Sequence, residues 1–287
     1  MKTQLDCYSC LVRQALSVAR FAGMDDEGQR QVMNRALYEL QNLNGNSTPP
    51  ETVNTVYSAI SEVTGGVDLF RQVKARSTRE ALQLYPELKK VIQKAENRFE
   101  TAVRLAIAGN IIDFAASETY DLQDSVRRVL EQPLTENAVP ALKAEIGKAG
   151  WVLYIADNAG ETVFDRLLIE EICPSKRVVY VVRGGAILND ATIEDAFAAG
   201  IEQVAEIKTT GYRGLGVIFK HSSPEFLKLW DEAPLIIAKG MANYETLSDQ
   251  GSRVFFLLQV KCVPIGQDIG LKTGSLVVRR GASPFYD

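Results

Sequence analysis

The 287-residue sequence contains a single histidine, His221. Metalloprotease H-E-x-x-H motifs, two-histidine facial triads and three-histidine zinc sites need at least two imidazoles, so one chain cannot form them. No serine lies in a G-x-S-x-G motif, and no G-x-x-x-x-G-K-[ST] phosphate loop is present. We therefore expect His221 to cap a helix or end a strand, and we exclude histidine-based metal centres.

The sequence also lacks an excess of basic charge, long apolar runs and a dense set of cysteines. Its net charge of -4 and pI near 5.3 do not support a general nucleic-acid binder. No apolar run approaches the ~20 residues of a membrane helix, and residues 1–10 lack the apolar core of a signal peptide. We expect a cytoplasmic protein with no membrane partner. Four cysteines do not make a disulfide framework.

The periodicity of apolar residues changes near residue 150. Residues 10–147 follow a helical period almost throughout, whereas strand-like and helical runs alternate from Trp151 onward. This pattern predicts an α/β fold: a Rossmann-like α/β/α domain over 149–287 with a largely parallel sheet, preceded by an all-helical domain over 1–148. The predicted strands are 152–156, 178–182, 203–207, 235–238, 254–260 and 275–278.

One stretch, WVLYIADNAGE at 151–161, ends a buried strand in polar residues. The apolar run stops at Asp157 and Asn158, and Thr162 to Ile172 then follows a helical period. Ligands of open α/β sheets bind at such carboxyl ends, where a helix also offers free N–H groups to an anion. The dinucleotide motif is absent, because this turn has one glycine where G-x-G-x-x-G needs three.

Other predicted strands end in polar residues as well. Asp190 follows the second strand, Lys239 the fourth and Lys261 the fifth. Taken singly, Asp190 resembles a helix cap and Lys239 a solvated strand exit. Taken together on one sheet edge, they predict a site for a cation and an anion.

The types of side chain indicate the chemistry. Carboxylate and amide oxygens favour Mg²⁺ or Mn²⁺ over zinc, and lysines attract phosphate oxygens. A divalent cation at Asp157, Asn158 and Asp190 would polarise a phosphoryl group held by Lys239 and Lys261, while a water attacks in line. Phosphate-ester hydrolysis is therefore the predicted reaction.

Further residues are expected around this site. Asn110 and Asp113 share a helix face and would reach it from the helical half. We expect Asn243 and Glu245 to contact the substrate or the water, and we count Glu161 among the substrate-binding residues.

Six motifs in this order resemble the DUF89 family of metal-dependent damage-control phosphatases, and more narrowly its stand-alone prokaryotic and archaeal branch. They are CYSC (7–10), GNIID (109–113), DNAGE (157–161), LNDAT (188–192), KGMANYE (239–245) and VKC (260–262). The resemblance spans nearly the whole chain. It implies a helical part over a Rossmann-like domain, and hydrolysis of phosphorylated metabolites such as sugar phosphates with Mn²⁺, Co²⁺, Ni²⁺ or Mg²⁺.

The resemblance also implies roles for single residues. The family's metal-binding Asp, Asn and Asp fall on Asp157, Asn158 and Asp190, and its phosphate-binding lysine falls on Lys261. The Arg-Thr-x-Lys motif of the eukaryotic branch is not matched, because Leu-Gln-Val precedes Lys261.

Several alternatives remain open. Asp157 could act as a covalent nucleophile, as in the haloacid dehalogenase group, although the second acid of that group is replaced by Ala159. Cys7, Cys10 and Cys262 form either a second, thiolate-bound metal site or a set of packed thiols. Other functions are an S-adenosylmethionine-dependent carboxyl methyltransferase and a phosphometabolite-binding protein without turnover.

Overall fold

The computed structural model describes residues 1–42, 46–63, 65, 67–111 and 122–282. The helices in these ranges are α1 (Leu5–Phe21), α2 (Asp26–Gln41), α3 (Pro49–Val63), α4 (Arg71–Lys94), α5 (Arg98–Ile111), α6 (Leu122–Glu131), α7 (Val139–Lys148), α8 (Thr162–Ile172), α9 (Ile193–Ala198), α10 (Pro224–Glu232), α11 (Gly240–Leu247) and α12 (Val263–Ile269). The strands are β1 (Leu134–Asn137), β2 (Trp151–Ile155), β3 (Arg177–Val182), β4 (Glu206–Thr209), β5 (Ile236–Lys239), β6 (Val254–Gln259) and β7 (Leu276–Arg280).

These strands form one sheet in the order β1-β7-β6-β5-β2-β3-β4. All neighbouring pairs are parallel except β6 and β7. The central strands are continuous apolar runs, such as VVYVV in β3, because parallel strands are covered on both faces. The predicted largely parallel α/β sheet is confirmed.

Helices cover both faces of the sheet. Tyr154, Tyr180 and Ile237 point to a face packed by α4, α5 and α8, while Leu153 and Val179 point to the face packed by α10, α11 and α12. This arrangement gives the three layers that the βα repeats predicted. No helix within the described ranges has both the length and the apolarity needed to cross a membrane.

The N-terminal helices fall into two groups with different positions. Helices α4 and α5 share the core of the sheet face, whereas α1 to α3 have a separate core that includes Ile187 from a loop at the sheet edge. Asn54 in α3 joins the two parts through the backbone of Leu215, donating at 3.2 Å and accepting at 2.7 Å. Helices α1 to α3 therefore lie over loops at the carboxyl edge.

The sheet extends across the predicted boundary at residue 148. Strand β1 pairs with β7, although it precedes that boundary, and α7 begins at Val139 directly after this strand. The sequence of β1, LTEN, has too few apolar residues to indicate a strand, so its pairing comes from tertiary contacts.

The strand order reverses at β2. From β2 the chain proceeds to β3 and β4 on one side, while its other neighbour, β5, leads to β6. The carboxyl ends of β2 and β5 therefore border the switch point of the sheet, where open α/β folds bind their ligands.

Candidate metal and phosphate site

The loops that follow β2 and β3 are bonded to each other. Asn158 and Asp190 form an isolated antiparallel bridge. Beside it, Ala159 N–H donates to Asn189 O at 2.9 Å and Ala191 N–H donates to Asp157 O at 2.8 Å. The structure thus brings Asp157, Asn158 and Asp190 together, at the switch point and across 33 positions of sequence.

The approach to Asp190 requires an unusual backbone. Leu188 has a φ of 48°, in the left-handed region that a branched side chain rarely adopts. Its side chain packs against the α1–α3 core, which compensates for the strained conformation. The helical bundle thereby helps to shape the loop that presents Asp190.

A buried arginine, Arg183, holds the carboxylate of Asp190. Its Nε donates to Asp190 Oδ2 at 2.6 Å, and its guanidinium lies 3.8 Å from Asp157 Oδ1. Both of its terminal nitrogens donate to Asn243 Oδ1 at 3.2 Å. The sequence analysis did not assign Arg183 to the site; its signal was a charged residue directly after the apolar run of β3.

The pKa values of Asp157 and Asp190 are both raised, so their ionised forms are disfavoured. Burial, and then the charges of Asp190 and Glu161, raise the pKa of Asp157 to about 8, against the opposing effects of Arg183 and Lys261. Burial also raises the pKa of Asp190, although Arg183 offsets part of this effect. A cation between the carboxylates would favour their ionised forms.

The charge buried here fits a divalent cation. Two cationic groups face four acidic groups, so this buried cluster carries a charge of −2 when all six groups are ionised; the residues are Arg183, Lys239, Asp157, Glu161, Asp165 and Asp190. Because buried charge is costly unless it is paired, a net charge of −2 is what an ion such as Mg²⁺ or Mn²⁺ would neutralise. Two carboxylates and one amide carbonyl are also the hard oxygen donors these ions prefer.

Lys239 does not lie where the sequence analysis placed it. Its side chain is fully buried and points into the layer of α5 and α8. Its ammonium donates to Ala106 O at 2.8 Å, to Asp165 Oδ1 at 2.5 Å and to Glu161 Oε1. These bonds use all three of its protons, so the assignment of Lys239 to phosphate binding is corrected.

Glu161 and Asn243 are also buried and engaged within the protein. Glu161 accepts from Lys239 through one oxygen and from Asn158 through the other. Asn243 donates to Ala156 O and Lys239 O, at 3.0 and 2.7 Å, and so joins the ends of β2 and β5. Both side chains are thus hydrogen-bonded within the protein, and their assignment to substrate binding stays a prediction.

Glu245 lies near the cysteines, because its charge acts on Cys7 and Cys262. Burial and the charge of Asp268 raise its pKa to about 8, although the N-terminal ammonium opposes this. Burial, with the nearby charge of Glu245, also raises the pKa values of Cys7 and Cys262. The electrostatic interactions of Cys7 with Cys10 and Cys262 place the three thiols in one region.

A metal at these cysteines has no geometric support here. Within the described ranges, no group of three His, Cys, Asp or Glu residues is arranged to hold a metal ion. The set of Asp157, Asn158 and Asp190 contains only two residues of these types, because its third donor is the side-chain amide of Asn158.

The remaining residues predicted for the site are Lys261, Asn110 and Asp113. Lys261 is exposed at the rim, close enough for its charge to lower the pKa of Asp157. Asn110 occupies the last turn of α5, and its side chain lies outside what the structure describes. Asp113 lies outside the described residues altogether.

Comparison with known proteins places the chain among phosphatases. The family model described as "Damage-control phosphatase ARMT1-like domain" matches residues 3–277. The chain is 36% identical over 285 residues to a damage-control phosphatase of Pyrococcus horikoshii, covering 98% of each chain. It is 34% identical over 289 residues to a damage-control phosphatase of Archaeoglobus fulgidus, covering 97% of this chain and 99% of that one.

A solved structure agrees with these sequence matches. The crystal structure of a DUF89 family protein from Pyrococcus horikoshii superposes with a TM-score of 0.89 at 34% identity, over 98% of this chain and 99% of that chain. The chain therefore belongs to the damage-control phosphatase ARMT1-like family, also called DUF89.

Proposed function

We propose that the chain is a metal-dependent phosphatase that hydrolyses phosphate monoesters of small metabolites, such as sugar phosphates. The observation that carries the proposal is the pair of buried carboxylates, Asp157 and Asp190, held beside Asn158 at the switch point of the sheet. The names of the relatives from Pyrococcus and Archaeoglobus support the same reaction class.

Asp157, Asn158 and Asp190 would hold the divalent cation. Such an ion supplies positive charge to the phosphoryl group and lowers the pKa of a nearby water. Mg²⁺ and Mn²⁺ are proposed from the oxygen donors, and Co²⁺ and Ni²⁺ from the resemblance.

The protein's own residues supply positioning and charge. Arg183 fixes Asp190, and Asn243 in turn orients Arg183. Lys261 is exposed and its charge acts on Asp157, so it would bind phosphoryl oxygens as a point charge. Water is the proposed nucleophile; attack by Asp157 stays an alternative, for which Ala159 provides no acid group.

A phosphate-release assay tests the proposal. Metal-free protein is incubated with a panel of sugar phosphates and MnCl₂, MgCl₂, CoCl₂ or NiCl₂. We expect metal-dependent phosphate release that Asp157→Asn and Asp190→Asn each reduce at least about 100-fold, because each removes a charged ligand. Asp249→Asn, at an exposed turn, is the matched control and should retain wild-type activity. Equal rates in all three variants would refute the proposal.

A separate preparation, from which metal has not been stripped, tests the thiolate site, which stays a prediction. Elemental analysis of protein purified without added metal would detect an ion bound by Cys7, Cys10 and Cys262. No comparison favours the methyltransferase or the binding protein without turnover.

A further inference from the structure

The side-chain amide of Asn158 has two chemically different ends. Its carbonyl oxygen can coordinate a cation, whereas its NH₂ group would repel one. The two ends have nearly the same shape, so hydrogen bonds from neighbouring residues must decide which end faces the site. The partners of the NH₂ group are therefore relevant to cation binding.

In the structure, two acidic residues accept from this NH₂ group. Asn158 Nδ2 donates to Asp157 Oδ2 at 3.1 Å and to Glu161 Oε2 at 3.2 Å. The backbone N–H of Asn158 also points to Glu161 Oε2, at 3.3 Å. Both amide protons are thus engaged by carboxylates, and the carbonyl oxygen is the end left to a cation.

Glu161 is itself held in place by buried groups. It is the N-cap residue of α8 and is fully buried, and its Oε1 accepts from Lys239. Lys239 is anchored in turn by Ala106 O of α5 and by Asp165. Tyr154 and Tyr180 donate to the two oxygens of Asp165, each at 2.7 Å. Residues of β2, β3, α5 and α8 thus fix the ammonium of Lys239, which in turn fixes the carboxylate of Glu161.

We propose that Glu161, fixed by Lys239, is a positioning residue that orients the Asn158 amide so that its carbonyl oxygen faces the cation. This inference rests on the proposed function, because it takes Asn158 as a ligand of the divalent ion. In this proposal, Lys239 and Glu161 orient a metal ligand and do not bind the substrate directly.

Substitution of Asp165 distinguishes this positioning role of Glu161 from a general effect of removing a buried charge. Glu161 and Asp165 are both fully buried, and both accept from Lys239. Only Glu161 bonds to Asn158. In Glu161→Gln, the glutamine oxygen would accept from Lys239 and its NH₂ would face the Asn158 NH₂. The Asn158 amide would then rotate and turn a donor toward the cation.

The test is a calorimetric titration of metal-free protein with MnCl₂, which needs no substrate. We expect Glu161→Gln to weaken Mn²⁺ binding about 10- to 100-fold, the usual effect of losing a residue that orients a ligand. Asp165→Asn removes the same buried charge but no contact with Asn158, so it should weaken Mn²⁺ binding by a smaller factor than Glu161→Gln does. Glu161→Asp keeps the charge but is one methylene shorter, so it should also bind Mn²⁺ about 10-fold more weakly.

Thermal unfolding in the absence of metal accompanies each titration. If Glu161→Gln does not fold, Glu161→Asp carries the test, because it keeps the ion pair with Lys239. Equal losses in Glu161→Gln and Asp165→Asn, with wild-type affinity in Glu161→Asp, would show an effect of charge alone and overturn the inference. Wild-type affinity in both Glu161 variants would overturn it as well. A wild-type protein that binds none of the four metals would instead refute the proposed function.

Discussion

Gly109, in the last turns of α5, is expected to be intolerant of a side chain. A Cβ at this position would lie 2.9 Å from Phe164 Cβ and 3.1 Å from Glu161 Cγ, both on or next to α8. Non-bonded carbons pack at about 3.5–4.0 Å, so a methyl group would overlap both side chains. The GNIID motif therefore begins with a glycine because α5 passes very close to Glu161.

The magnitude follows from two opposing terms. Overpacking of a core costs about 1–3 kcal/mol, while replacing glycine by alanine in a helix gains up to about 1 kcal/mol. For Gly109→Ala we therefore expect a net loss of up to about 2 kcal/mol. Gly147→Ala is the matched control, because it lies in α7 and a Cβ there meets no atom within 4 Å. Gly147→Ala should therefore gain up to about 1 kcal/mol from helix propensity. The free energies of unfolding of the two variants should then differ by about 1–3 kcal/mol.

Urea unfolding of metal-free protein, followed by circular dichroism, measures this gap. The titration with MnCl₂ adds a second readout, because displacement of Glu161 should also weaken Mn²⁺ binding in Gly109→Ala and leave Gly147→Ala unchanged. If the two variants were equally stable and bound Mn²⁺ equally, the close contact of α5 with α8 would be wrong.

Two further predictions concern buried charges. Arg183→Met should lower the free energy of unfolding by about 3–5 kcal/mol, because it leaves the buried Asp190 carboxylate without its partner; a loss below about 1 kcal/mol in urea titrations would contradict this. Because the pKa of Glu245 is raised in the folded protein, from 4.5 to about 8, its contribution to stability is complete below about pH 4.5 and is lost as the pH rises to 8. Glu245→Gln should remove this loss, which is below about 4–5 kcal/mol because the side chain is only partly buried, and raise Tm at pH 8 relative to wild type. Unfolding of chelator-treated protein at pH 5 and pH 8 measures the difference, and a variant less stable than wild type at pH 8 would oppose the reasoning.

The strand ends were predictable because local patterns encode them. Apolar runs that stop at polar residues marked the ends of β2, β3 and β5 to within one residue, and a parallel sheet brings such ends to one edge. Asp157, Asn158 and Asp190 could therefore be grouped from sequence spacing and element order. Strand β1 could not be predicted in this way, since its four residues carry no apolar pattern.

The direction of a side chain at a strand end was harder to predict. Lys239 is the last residue of β5, so it points to the same face as Ile237, toward α5 and α8. The sequence analysis ended this strand at Ala238 and therefore took Lys239 as part of an exposed loop. An error of one residue at a strand end moves a side chain from the edge to the interior.

The sequence by itself determined the α/β class, the alternation of strands and helices from Trp151 onward and the oxygen donors at the strand ends, because each depends on neighbours along the chain. Only the tertiary structure decided which charged groups are paired and buried. Lys239 reaches Ala106 across 133 positions, and Arg183 reaches Asn243 across 60. No local sequence pattern predicts such pairs. A charged side chain needs a partner only when it is buried, and these side chains become buried only after the helices have packed on the sheet.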